Sequence, residues 1–161
     1  MIDEIRQKLG NDYNYIVADC QSIPFKNNYF DTIVANHMLF YLKDLKQGLT
    51  EITRVLKNNG TFYCTTYSKY HMQEISELAQ NFDSRISLSD DPLPERFGLE
   101  NGKDILKSYF NYVELKKYED YLLITEAQPL IDYILSCHGN QNEYLGNRLK
   151  EFKTVSYTHL R

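Results

Sequence analysis

The residues that could do chemistry sit in three short stretches. Asp19 follows the apolar run Tyr15-Ile16-Val17-Ala18, and Asn36 and His37 follow the apolar run from Phe30 to Ala35. A polar residue directly after an apolar strand is where an open α/β sheet places its ligand-binding groups, because ligands lie outside the carboxyl ends of the strands. Asp19 offers a carboxylate acceptor at such an edge, or a carboxylate that caps its own loop. His37 is the candidate for taking a proton or orienting a substrate, although a histidine at a strand end is also commonly a hydrogen-bonded structural residue. Tyr41, Tyr67 and His71 fall near the same edge. Glu51 and Arg54 lie three apart on a helix and can pair, a structural role. Cys20, Cys64 and Cys137 are odd in number, widely spaced and without a Cys-x-x-Cys pair, so neither a disulfide framework nor a metal site is suggested. They read as reduced, mostly buried thiols.

These residues need elements to position them. Ile5 and Leu9, with Ile2, recur at helical spacing before Gly10-Asn11-Asp12 stops the pattern. Tyr15 to Ala18 reads as a short strand. Phe30 to Ala35 reads as a second, with the continuous apolar pattern of a strand covered on both faces. Leu45, Leu49, Ile52, Val55 and Leu56 form one helical stripe, which Asn58-Asn59-Gly60 ends with residues that tolerate positive φ. Thr61 to Thr66 follows as a strand, completing a right-handed βαβ unit. Met72, Ile75, Leu78 and Phe82 mark another helix, and Ser84 to Gly98, with Pro92 and Pro94, a polar loop over the ligand face. Ile105 to Phe110 suggests a short helix, Tyr112 to Tyr118 a strand, and Leu130 to Leu135 a helix with Pro129 in its first turn. Helices and strands alternate, which is an α/β pattern with a mostly parallel sheet.

Composition bounds the function. The 161 residues are 42% hydrophobic, enough for one domain with a real core, and no linker or internal repeat divides them. With 18 basic and 22 acidic residues, net charge -4 and no long Lys/Arg run, nothing indicates a nucleic-acid partner. No apolar stretch approaches the roughly 18 residues of a membrane span, and the first residues do not resemble a signal peptide, so a cytoplasmic location is expected.

Asp19-Cys20-Gln21-Ser22-Ile23-Pro24-Phe25, then Tyr29-Phe30-Asp31-Thr32-Ile33-Val34, then Glu51-Ile52-Thr53-Arg54-Val55-Leu56-Lys57 with Gly60, together resemble the signature of class I S-adenosylmethionine (SAM)-dependent methyltransferases of the type 11 branch. The resemblance covers about Met1 to Lys153 and is strongest from Tyr15 to Thr66. It implies a Rossmann-like fold, a mostly parallel sheet with flanking helices, and SAM as cofactor. It also implies that Asp19 accepts a hydrogen bond from the adenine amino group, that the backbone N–H of Cys20 lies near an adenine ring nitrogen, and that Asn36 and His37 stand near the methionine part of SAM. The acceptor expected is a small molecule. Methyl transfer from a sulfonium needs in-line approach more than acid or base chemistry, which accounts for a sequence with neither a triad nor a metal cluster.

The same family holds SAM through a Gly-rich turn after its first strand and an acidic residue ending its second. None of the seven glycines here stands in a Gly-x-Gly arrangement. The sequence therefore reads as a partial methyltransferase domain over residues 1–153, incomplete at both ends, without the first two strands and the closing strand. Such a chain is expected to be inactive and poorly folded alone, with only Phe30 to Ala35 and Thr61 to Thr66 left as neighbouring strands. Residues 154–161 resemble a non-native, adapter-derived tail. Two other readings stay open: a non-catalytic protein-interaction domain on the same scaffold, and a nicotinamide-dependent enzyme of related fold, which the Pro-Phe and Arg-Val-Leu-Lys pieces disfavour.

Overall fold

The computed structural model describes the backbone of residues 2–159 and the side chains of residues 3–154. Its elements are α1 (Ile2–Leu9), β1 (Phe30–Asn36), a 3-10 turn (Leu39–Tyr41), α2 (Leu45–Val55), β2 (Leu56–Thr65), α3 (Gln73–Phe82), α4 (Leu93–Arg96), α5 (Gly102–Leu106), α6 (Ala127–Ser136), α7 (Gln141–Leu145), a second 3-10 turn (Gly146–Arg148) and α8 (Leu149–His159). They form two compact units. One comprises Met1–Tyr67 and Arg96–Val113, the other Ser68–Glu95 and Glu114–Arg161.

In the first unit β1 and β2 pair in parallel, joined by α2, which is the βαβ unit the sequence implies. Asp44 caps α2 by accepting from the Gln47 N–H at 2.9 Å, and the helix buries Gly48, Leu49, Ile52 and Val55. That spacing of three and four residues is one face of a 3.6-residue period. Leu39, Phe40, Leu56, Phe97 and Leu106 are also buried in this unit. Phe62 stacks on Phe110, centroids 5.4 Å apart.

The sheet departs from expectation in coverage and register. Ile33↔Phe62 and Ala35↔Cys64 are sheltered, whereas Val34↔Tyr63 lies on the other face with both side chains 58% exposed. An unbroken apolar run signalled burial on two faces, but only one is covered within the described residues. Asn58-Asn59-Gly60 does not close α2, because the helix already ends at Val55 and none of the three has positive φ. They occupy a break in register instead: Phe30 pairs with Leu56, but Thr32 pairs with Thr61. The extra residues bulge out of β2, as small and polar residues do most easily.

Two expected strands are absent from the described residues. Residues 14–18 and 113–126 run without regular hydrogen bonding. Val17 is 86% exposed and Tyr118 88%. A strand exists only through a ladder to a neighbour, and neither segment has one here, so β-prone residues alone do not produce it.

In the second unit Ile75, Ala79, Ile86, Ala127, Leu130, Ile131, Ile134, Leu145 and Phe152 form the core. The polar stretch from Ser84 to Gly98 is thus anchored at both ends: Ile86 is buried in this unit and Phe97 in the first. Asp83 binds the guanidinium groups of Arg85 (2.7 Å) and Arg148 (3.0 Å), which hold its carboxyl well below the usual range, Arg85 contributing most. The Asn140 side chain bridges the Ser87 N–H and the Arg85 carbonyl. The helical backbone of α8 continues past residue 153 to His159. Of the tail expected over 154–161, the side chains of 155–159 and all of 160–161 lie outside the described residues.

Candidate functional site

The first unit contains a cleft of about 290 Å³ lined by Ala18, Asp19, Cys20 and Ile23, by β1 residues 33–36, and by Met38 and Ile52. Asp19, Cys20 and Asn36, singled out from sequence, therefore meet at one place. Asn36 is the last residue of β1, paired with Thr65, so the cleft opens at the carboxyl end of that strand. Asp19 reaches it from an irregular segment rather than from a strand end.

Local hydrogen bonding sets the Asp19 turn. Asp19 Oδ1 accepts the Gln21 N–H at 2.8 Å, and its carbonyl accepts the Ser22 N–H at 3.0 Å. This is an Asx turn, the capping role that the residue type alone allows. Oδ2 receives only a long contact of 3.4 Å from Gln21 Nε2. Since a carboxylate offers about four lone-pair sites, capping leaves capacity on Oδ2 for a donor in the cleft.

Cys20 is half-buried beside it. Burial pushes its thiol up, and the Asp19 and Glu51 carboxylates add to the effect, so it is a poor nucleophile at neutral pH. Cys64 is raised by burial as well. Among the described residues no group of three or more His, Cys, Asp or Glu side chains converges to hold a metal ion.

His37 follows Asn36 but is not part of the cleft lining. Its backbone has φ +47°, a left-handed conformation that costs a non-glycine residue energy. Its N–H is held by Thr65 Oγ1 at 3.0 Å and the Thr65 carbonyl at 3.3 Å. The ring lies nearly parallel to Tyr67, centroids 6.2 Å apart, and meets the Phe40 ring edge-on. Tyr41 packs on Phe40 at 4.6 Å. His71 belongs to the second unit. Phe25 sits with Tyr29 and Phe30 at the start of β1, at the opposite end of the strand from Asn36. It packs as an aromatic cluster there.

Sequence reasoning passed over one residue of the cleft wall. Ile52, from α2, lines it and is 1% exposed, and Glu51 and Arg54 on either side of Ile52 bond the loop that carries Ile23. The signal was the helical stripe itself, which shows that Ile52 faces inward but not which cavity it reaches.

Comparison with known proteins bears on this segment. Residues 1–64 match the sequence model of the methyltransferase domain, which spans the cleft residues and most of β2. A malonyl-[acyl-carrier protein] O-methyltransferase of Chlorobium luteolum is 27% identical over 143 residues, 87% of this chain and 50% of that protein. A ubiquinone/menaquinone biosynthesis C-methyltransferase of Vibrio cholerae is 30% identical over 86 residues, 52% of this chain and 33% of that protein. A sterol 4-C-methyltransferase of Caenorhabditis elegans is 43% identical over 47 residues, 29% of this chain and 14% of that protein. No solved structure matches significantly. The chain thus spans at most about half the length of these relatives. Residues 1–64 are thus similar to the methyltransferase domain, and the relatives that share this segment are methyltransferases.

Proposed function

We propose that these residues form the adenine-side wall of a SAM site in a polypeptide that transfers a methyl group to a small-molecule acceptor. The observation that carries the reading is the convergence of Asp19, Cys20 and Asn36 on one cleft at the carboxyl end of β1, inside the segment that matches the family. The donor set fits one end of such a cofactor. Asp19 Oδ2 is available to accept from an exocyclic amine, Ile23 and Ile52 offer apolar walls for a planar ring, and Asn36 can donate or accept a hydrogen bond. At about 290 Å³ the cleft lies at the lower limit of ligand pockets, the size of one end of SAM rather than all of it.

SAM supplies an electrophilic methyl group on a sulfonium whose thioether leaves readily. The chain's part is therefore to bind and orient, not to move protons. No Gly-x-Gly turn occurs in the 161 residues, so we infer that this chain alone does not turn over. The relatives named above are a malonyl-[acyl-carrier protein] O-methyltransferase, a C-methyltransferase of ubiquinone/menaquinone biosynthesis and a sterol 4-C-methyltransferase. They support an organic acceptor carrying a nucleophilic carbon or oxygen. No helix among the described residues is long and apolar enough to cross a membrane.

Calorimetric titration of SAM into the longest native polypeptide that carries these residues tests the proposal. Binding is expected, and Asp19→Ala should weaken it by about 1 to 3 kcal/mol through loss of one charge-assisted contact. Unchanged affinity removes Asp19 from the site. No binding at all rejects the cofactor reading and favours a non-catalytic scaffold.

A further inference from the structure

Two side chains of α2, Glu51 and Arg54, hold four polar groups of the loop beside the cleft. Glu51 Oε2 accepts the Ile23 N–H at 2.9 Å. Arg54 Nη2 donates to the Ile23 carbonyl at 2.8 Å, and Nη1 to the Phe25 carbonyl at 2.7 Å and to Asn27 Oδ1 at 3.0 Å. The pair is itself a two-point fork, Nε to Oε1 and Nη2 to Oε2, both at 2.7 Å. Backbone groups of the same helix end continue the attachment: the Asn28 N–H donates to the Arg54 carbonyl, and the Tyr29 N–H to that of Val55. At the other end of α2 the Asp44 N–H donates to Gln21 Oε1 at 2.6 Å, and Gln47 Nε2 to the Gln21 carbonyl at 3.3 Å.

The segment from Gln21 to Ile23 is therefore fastened at both ends to one helix, and the Asp19 turn is bonded to that segment through the Gln21 and Ser22 N–H groups. Asp19 and Cys20, directly before the first fastening, and Ile23, at the second, all line the cleft, as does Ile52 of α2. Only a planar donor fork can reach two carbonyls, an amide oxygen and a carboxylate at once; a lysine ammonium is a single point charge.

We propose that Glu51 and Arg54 are positioning residues that set the width and shape of the cleft by clamping Ile23, and with it the Asp19-Cys20 turn, to α2. The bearing of this on cofactor affinity rests on the reading of the cleft given above; the clamp itself does not. The expected consequence is specific: loss of the fork frees the turn while β1, β2 and the core of α2 stay in place.

The test uses Cys20 as a reporter inside the turn and Cys64, on β2, as an internal standard. In Arg54→Lys, which keeps the positive charge, alkylation of Cys20 should speed up by about fivefold or more relative to Cys64. The thermal midpoint should move little. Equal acceleration at both cysteines, or none at Cys20, overturns the proposal. Glu51→Gln is a second variant read by amide exchange, because Ile23 donates directly to Glu51. Faster exchange at Ile23 with β1 amides unchanged supports the clamp, and exchange altered throughout the unit overturns it. Millimolar SAM added to the longest native polypeptide separates the two claims. Protection of Cys20 that is lost in Arg54→Lys supports both. Absent protection with the Arg54→Lys effect intact sinks only the cofactor reading, and protection of equal strength in wild type and variant overturns the clamp.

Discussion

Truncating Ile52 to alanine asks whether α2 is docked as described. Ile52 is 1% exposed and stands where the buried face of α2 meets the cleft. The substitution removes three carbons beyond Cβ. At about 0.8 kcal/mol for each buried methylene, the transfer loss is roughly 2.4 kcal/mol. A closed core would add a cavity penalty and carry the total toward the upper part of the roughly 2 to 5 kcal/mol range for isoleucine truncations. Here the void joins a cleft open to solvent, so water enters and the added penalty is small. We therefore expect about 2 to 3 kcal/mol, a large share of the roughly 5 to 15 kcal/mol that holds a domain together. Native-state amide exchange in α2, β1 and β2, with urea denaturation followed by tyrosine fluorescence, measures it. Val34→Ala is the control, since Val34 is 58% exposed and its truncation should cost less than about 0.5 kcal/mol. A loss below about 1 kcal/mol at Ile52, or equal losses at the two sites, would refute the packing argument.

Three further outcomes are expected. Glu51 is held down to about 2, first by its hydrogen bond from Arg54 and then by the Ile23 N–H. Because the folded value is depressed, its contribution to stability is complete above the ordinary carboxylate range near 4.5 and fades as pH falls toward 2; a carboxyl carbon shift titrating near the ordinary value would exclude the clamp. Gly139→Ala should destabilise the second unit by about 1 to 3 kcal/mol, because a Cβ there meets the Ser87 carbonyl and lies 2.7 Å from the Leu88 carbonyl carbon, both backbone; an unshifted thermal midpoint would contradict that close approach. Thr65→Val removes the Oγ1 that accepts the His37 N–H, and a crystal structure retaining φ near +47° at His37 would show that the strand end, not Thr65, imposes the conformation.

What could be read along the chain was whatever depends on near neighbours. The stripe Leu45 to Val55 forms α2 because helical bonds close within four residues, and Asp44 caps it from the adjacent position. The βαβ unit was legible as well. Tyr15 to Ala18 and Tyr112 to Tyr118 have strand-like residues yet form no strand, because a ladder requires a partner that propensity cannot supply. Asn58-Asn59-Gly60 looked like a helix stop and proved to be a register break, since pairing across β1 decides where surplus residues go. The grouping of the elements into two compact units was not legible, because apolar residues distant in sequence choose their core by packing in three dimensions. Glu51 and Arg54 were visible as a helical pair, but only the folded chain brings Ile23, Phe25 and Asn27 to them. A guanidinium's partners 27 to 31 residues away are fixed by tertiary geometry, which no local pattern encodes.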